Sequence, residues 1–223
     1  MSAPGTLEMY ERWAPGYDAE PHNPLMDAEQ RAMCVRFPEL AGRDVLDLAC
    51  GTGRYARLAT QAGARRVVGV DASPTMLARA EIRDRVRGDL TALPFRDASF
   101  DVVISGLAIG HASDLNACLA EIRRVLRAGG TLLYSDFHPE ATRLGFKRGF
   151  RAAGGERLEL PADGYSVARH FAALGATGFT LLDLLEVRAG FELSDEFPGS
   201  AEFYRAWRGA PLVLVVLARR SAA

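Results

Sequence analysis

Val45-Leu46-Asp47-Leu48-Ala49-Cys50-Gly51-Thr52-Gly53-Arg54-Tyr55 sets a short apolar run against a turn of small residues and the start of a helix. Val45 to Leu48 suits a strand buried on both faces. Gly51 and Gly53 let the backbone of the turn approach a ligand with no Cβ in the way. Arg54 to Ala62 then reads as helix. Strand, glycine turn and helix in this order open an α/β architecture with a parallel sheet.

The same rhythm continues outward. Val67 to Val70 is a second strand ending at Asp71. Ser73-Pro74 begins a helix, because serine caps and proline at the first position gives up an N–H that would have no partner. Met76, Leu77 and Ala80 give that helix its apolar side. A weaker third strand lies near Val86, before Gly88-Asp89, and Asp101 to Ser105 is a fourth. Leu115 to Leu126 has helical spacing, with Gly129-Gly130 expected to stop it, and Thr131 to Asp136 is the fifth strand. Phe137 to Asp163 is longer than an ordinary connection. Within it Gly149 to Leu160 reads as a hairpin turning at Gly154-Gly155, placed to act as a lid. Tyr165 to Leu174 is helical, Phe179 to Val187 strand-like, and Leu212 to Arg219 a final strand.

Composition narrows the function classes. The chain has 223 residues, 25% of them charged, and a formal net charge of −1. That balance argues against a nucleic-acid surface. Cys34, Cys50 and Cys118 lie far apart and match no disulfide or zinc spacing. Met1 to Asp18 lacks the apolar core of a signal peptide, and the run from Pro211 to Ala218 is too short to span a bilayer. One domain over residues 1–223, working in the cytoplasm, is the expectation, with no membrane or nucleic-acid partner.

In an open parallel sheet, ligands bind outside the carboxyl ends of the strands. Asp47, Asp71 and Asp89 fall at three such ends. Asp71 can accept from both hydroxyls of a ribose. The spacing Gly51-x-Gly53-x-x-Ala56 with a downstream aspartate also fits a dinucleotide fingerprint, so a nicotinamide-dependent reductase stays open on spacing alone. Each residue also has a plain structural reading. Asp47 can form a turn and Asp89 can cap a helix; Met76 can be core and Cys50 a small packed residue.

Val45 to Tyr55 closely resembles the first motif of class I S-adenosylmethionine-dependent methyltransferases. Val68-Gly69-Val70-Asp71-Ala72-Ser73-Pro74-Thr75-Met76-Leu77, Gly88-Asp89-Leu90 with Leu93-Pro94-Phe95, Phe100 to Ser105 and Leu126 to Leu133 follow in that family's order. The Leu-Pro-Phe third motif is similar to that of the small-molecule branch. The resemblance implies a Rossmann-like, doubly wound seven-stranded sheet with an antiparallel last strand. Residues 1–42 would form an N-terminal helical cap and residues 137–163 the lid. It also implies S-adenosylmethionine as methyl donor and S-adenosylhomocysteine as product. Asp47 and the Ala49–Gly53 backbone, Cys50 included, would hold the methionyl end, and Asp71 the ribose. Ala72 and Met76 would line the adenine slot. Asp89 and the Leu90 amide would meet the ring, and Ser105, Gly106 and Leu107 would run beside the sulfonium. Tyr10, Trp13 and Tyr17-Asp18 resemble the branch's N-terminal segment, which folds over donor and acceptor, although simple hydrophobic docking explains them as well. A cofactor-binding protein without turnover remains a further alternative.

The acceptor is expected to be a small metabolite, methylated on oxygen, nitrogen or carbon, and the protein a monomer or homodimer. A base is needed only where the acceptor must lose a proton. His138, just past the fifth strand, ranks first as the catalytic histidine and His111 second; both can instead serve structure. His170 is a packing residue or a substrate contact. None of the four histidines has metal-ligand spacing. Arg143, Lys147, Arg148 and Arg151 can orient an anionic acceptor or form a solvated basic face. Phe191 to Trp207 supplies apolar walls or a surface helix.

Overall fold

The computed structural model describes residues 5–151, 156–160, 164–190 and 200–221. Its centre is a seven-stranded sheet. β1 (Asp44–Leu48) is flanked by β2 (Arg66–Asp71) and then β3 (Asp84–Arg87) on one side, and by β4 (Phe100–Ser105) and β5 (Leu126–Phe137) on the other. β6 (Gly149–Arg151) and β7 (Arg157–Glu159) form a separate antiparallel hairpin, with Gly149 opposite Glu159. The turn expected at Gly154-Gly155 lies outside the described residues. β8 (Phe179–Arg188) closes the large sheet, and β9 (Pro211–Arg220) runs antiparallel between β5 and β8, giving the order 3-2-1-4-5-9-8. The expected antiparallel last strand is therefore present. Chain order reverses between β1 and β4, so their carboxyl ends open a crevice.

Alternation within the strands covers both faces. Leu46, Leu48, Val68 and Val70 pack with the helices α5 (Leu115–Val125) and α7 (Val167–Ala176) on one side. Val45, Val102, Ile104 and Val215 pack on the other side with α2 (Pro24–Val35) and α3 (Arg54–Gln61). β3 reads Asp-Arg-Val-Arg and is exposed along its length, a charged edge that discourages strand addition. Caps fall where local chemistry puts them. The Ser73 hydroxyl accepts from the Met76 amide at the start of α4 (Pro74–Arg79), which ends one residue before Ala80. Asp114 accepts from the Asn116 and Ala117 amides before α5.

Three expectations need correction. α5 stops at Val125, and Leu126 already pairs with Phe100, so the fifth strand starts well before Thr131. Gly129 and Gly130 lie inside β5. Gly129 has φ +72°, and a Cβ on Gly130 would meet Arg127 O at 2.9 Å. They accommodate the register shift between Phe100 and Val102 rather than ending the helix. The insertion after β5 is more than a hairpin, since α6 (Pro139–Arg143) precedes it. α1 (Thr6–Trp13) passes into a single 3₁₀ turn at Ala14–Gly16, as Pro15 requires. α8 (Ser200–Trp207) provides the late helix; Phe191 and Phe197 lie outside the described residues. Among the described residues no helix is long and apolar enough to cross a membrane.

Candidate active site

A cavity of about 720 Å³ opens over the carboxyl ends of β1, β2 and β4. Its floor is the turn after β1, where Ala49 (φ +54°) and Gly51 (φ +53°) adopt left-handed backbone. Alanine in that region carries local strain, which fits a turn held for function. The Asp71 carboxylate braces this turn, accepting from the Gly51 amide and the Ser73 amide at 2.8 Å each. Each oxygen keeps a lone pair for a ligand.

Asp47 is only 2% exposed, and Oδ2 accepts from the Ala56 amide at 2.8 Å. Burial pushes its carboxyl up to about 7. Asp71 is raised in the same direction by burial. A buried and a half-buried carboxylate facing one cavity are poorly stabilised as charges and would gain from a cationic or hydroxyl-bearing ligand. Beside Asp47 lies Arg54, whose Nη2 is 2.8 Å from Glu29 Oε2. Glu29 is fully buried and also accepts from the Tyr55 hydroxyl at 2.6 Å and the Ser135 hydroxyl at 2.5 Å. Arg54 was not singled out in the sequence, although the Gly-Thr-Gly-Arg run contains it.

Most residues expected at the donor end line this cavity: Tyr17, Asp47, Ala49, Cys50, Gly51, Asp71, Ala72, Met76, Asp89, Leu90, Gly106 and Leu107. Asp89 is exposed, and its Oδ1 already accepts from the Thr91 amide at 2.7 Å and the Thr91 hydroxyl at 2.5 Å. It therefore forms a side-chain turn as well as a wall. Burial pushes the Cys50 thiol up, leaving it a packed residue. Gly53 and Ser105 do not line the cavity. Gly53 turns into α3 at φ +94°, and the Ser105 hydroxyl donates to Leu48 O at 2.9 Å, tying β4 to β1. Gly106 packs flat against the Tyr55 ring, where a Cβ would collide.

The other half of the cavity is aromatic. Trp13 stacks on Phe150 at 4.6 Å and meets Tyr17 edge-on at 4.7 Å. Phe146 and Trp207 close the far wall at 5.2 Å. Tyr10 Oη lies 3.0 Å from His111 Nε2 and accepts from Arg148 Nη2 at 3.0 Å. Burial, and then the Arg148 charge, push His111 down to about 3, so its ring is neutral near pH 7. Burial raises Tyr10, which stays protonated.

His138 and His170 sit elsewhere. His138 caps α6, accepting from the Glu140 amide on Nδ1 at 3.2 Å, with Nε2 3.2 Å from Glu186. His170 is buried against Asp136 at 3.4 Å and the Tyr134 hydroxyl at 3.0 Å. Neither lines the cavity. Helix capping and a buried polar cluster therefore account for the two histidines, and His111 is the one that faces the ligand space. Among the described residues no cluster suits a metal ion.

Comparison with known proteins agrees with this geometry. Residues 46–134 match the family model described as a methyltransferase domain. The chain is 38% identical over 138 residues to a malonyl-[acyl-carrier protein] O-methyltransferase of Dechloromonas aromatica, covering 59% of this chain and 50% of that one. It is 39% identical over 145 residues to a demethylmenaquinone methyltransferase of Thermus thermophilus, covering 59% and 65%. The chain spans about half the length of the curated relatives it matches. A crystal structure of an S-adenosylmethionine-dependent methyltransferase from Mesorhizobium loti superposes with TM-score 0.69 at 27% identity, over 86% of this chain and 98% of that one.

Proposed function

The chain carries a class I S-adenosylmethionine-dependent methyltransferase domain, with S-adenosylmethionine as its cofactor, and from that premise we propose that it methylates a small molecule held in the aromatic half of the cavity. The observation that carries this reading is the continuity of one cavity from Asp47 and Asp71 to Tyr10, His111 and Trp207. The relatives named above act, by their names, on a malonyl-[acyl-carrier protein] and on demethylmenaquinone. Both names are compatible with an acceptor that is not a nucleic acid.

The donor supplies a methyl group on a sulfonium, a good electrophile that needs no metal. The protein's share is placement and exclusion of water. Asp47 and Arg54 offer opposite charges side by side, suited to the ammonium and carboxylate of an amino-acid head. Asp71 takes hydroxyls, while Ala72, Met76 and Leu90 give an apolar slot for a flat ring. α1, the β6–β7 hairpin and α8 roof the acceptor half. With His111 neutral and Tyr10 protonated, the pair positions an acceptor through hydrogen bonds. Titration calorimetry with S-adenosylhomocysteine and with NADH tests this reading. Micromolar binding of the first and none of the second is expected; the reverse would turn the domain into a reductase.

A further inference from the structure

The four basic residues from the end of α6 to the first strand of the hairpin, Arg143, Lys147, Arg148 and Arg151, divide sharply in space. Arg143 pairs with Glu140 on the surface, and Lys147 with Glu159 at 3.0 Å. The side chain of Arg151 lies outside the described residues. Arg148 turns inward to line the cavity. Its guanidinium lies 3.6 Å over the Phe137 ring, and Nη2 donates to Tyr10 Oη and, at 3.4 Å, to Leu107 O. Nε is buried with no hydrogen-bond partner among the described residues, and no carboxylate among them faces the group. A guanidinium held by neutral partners and one aromatic face, with a donor left over, is incomplete on its own terms.

We propose that Arg148 is the anchor for the acceptor, and that the acceptor is an apolar small molecule bearing one carboxylate. This rests on the methyltransferase reading above. Arg148 is the one cation among the described residues of this wall that turns inward, and one inward charge fits a monoanion better than a phosphate. Lys147 is spent on Glu159, and Arg157, the remaining basic residue on this wall, is exposed on the hairpin. The planar fork matches a carboxylate, whereas an amide of the same shape would bring its own NH₂ against the donors. Trp13, Phe146 and Trp207 surround the space with rings, which suits an apolar body behind the acid. The lack of a strong base beside Arg148 agrees, since a carboxylate arrives already ionised and Tyr10 with His111 need only orient it.

The test uses the full chain saturated with S-adenosylhomocysteine. 3-Phenylpropionate and octanoate are titrated against their primary amides by calorimetry. The expected result is that each acid binds at least about tenfold more tightly than its amide, as a charge-assisted pair implies. Arg148→Gln should erase that preference while leaving the homocysteine ligand's affinity unchanged. An Arg148→Lys variant should keep part of it. No preference for either acid in the unmodified protein overturns the proposal, whether or not the variants fold. So does a preference that survives Arg148→Gln. Failure of S-adenosylhomocysteine to bind at all is a different result, which removes the methyltransferase reading first.

Discussion

Asp47 accepts from one backbone amide, with Arg54 and Asp71 nearby, and burial pushes its carboxyl up to about 7 against an ordinary value near 4. The folded chain therefore holds a proton there that the unfolded chain has released. That contribution to stability is complete below about pH 4 and is lost as pH climbs through 7. A ligand ammonium reverses the preference by stabilising the charge. Affinity for S-adenosylhomocysteine should accordingly rise from pH 6 to pH 8, with up to one proton released on binding below pH 7. Calorimetry in two buffers of different ionisation heat reads this directly, and Asp47→Asn should flatten both trends. Glu29 is the second decisive residue, fully buried and gathering Arg54, Tyr55 and Ser135. Glu29→Ala leaves a buried guanidinium unpaired and should cost about 3–5 kcal/mol in urea unfolding.

At the scale of elements, α1 is fastened to α4 by one side chain. Glu11 accepts from the Ser73 hydroxyl at 2.6 Å and also from the Thr75 hydroxyl; desolvation pushes its carboxyl up, but these bonds, the Thr75 amide and nearby Arg87 together hold it below the usual range. Glu11→Ala should raise amide exchange across Thr6–Trp13 and weaken S-adenosylhomocysteine about three- to tenfold, with little change in melting temperature. Charge-assisted hydrogen bonds of about 1.5–3 kcal/mol, discounted for partial exposure, support that range. The strands and most helices were legible because burial on two faces demands apolar runs and because Ser73, Pro74 and Asp114 cap by local chemistry. The end of α5 was not, since the pairing of Leu126 with Phe100 decides it and no neighbouring residue announces that pairing. α2 was missed although Asn23-Pro24 marks its start, with Asn23 accepting from the Met26 amide. Most residues lining the floor of the cavity were already singled out by the motifs. The position of His138 away from the cavity was not legible, because capping of α6 and contact with Glu186 are invisible in sequence, while the inward turn of Arg148 depends on a roof built from distant segments.

On the whole-molecule scale, β9 is last in the chain yet lies inside the sheet, paired with β5 from Thr131 to Phe137 and with β8 along its other edge. Removing residues from Pro211 onward would strip β8 of its neighbour and uncover Leu132 and Leu133, both without exposure in the intact fold. Such a truncation should lose cooperative thermal unfolding by circular dichroism. Leu214→Ala should cost about 2–5 kcal/mol in the intact chain. The roof tells a different story. The floor of the cavity comes from one contiguous stretch around β1, β2 and β4, whereas α1, the β6–β7 hairpin and α8 reach it from three widely separated parts of the chain. Exchanging residues 137–163 with those of another enzyme should therefore change one of the three parts of that roof while leaving the floor around Asp47 and Asp71 in place.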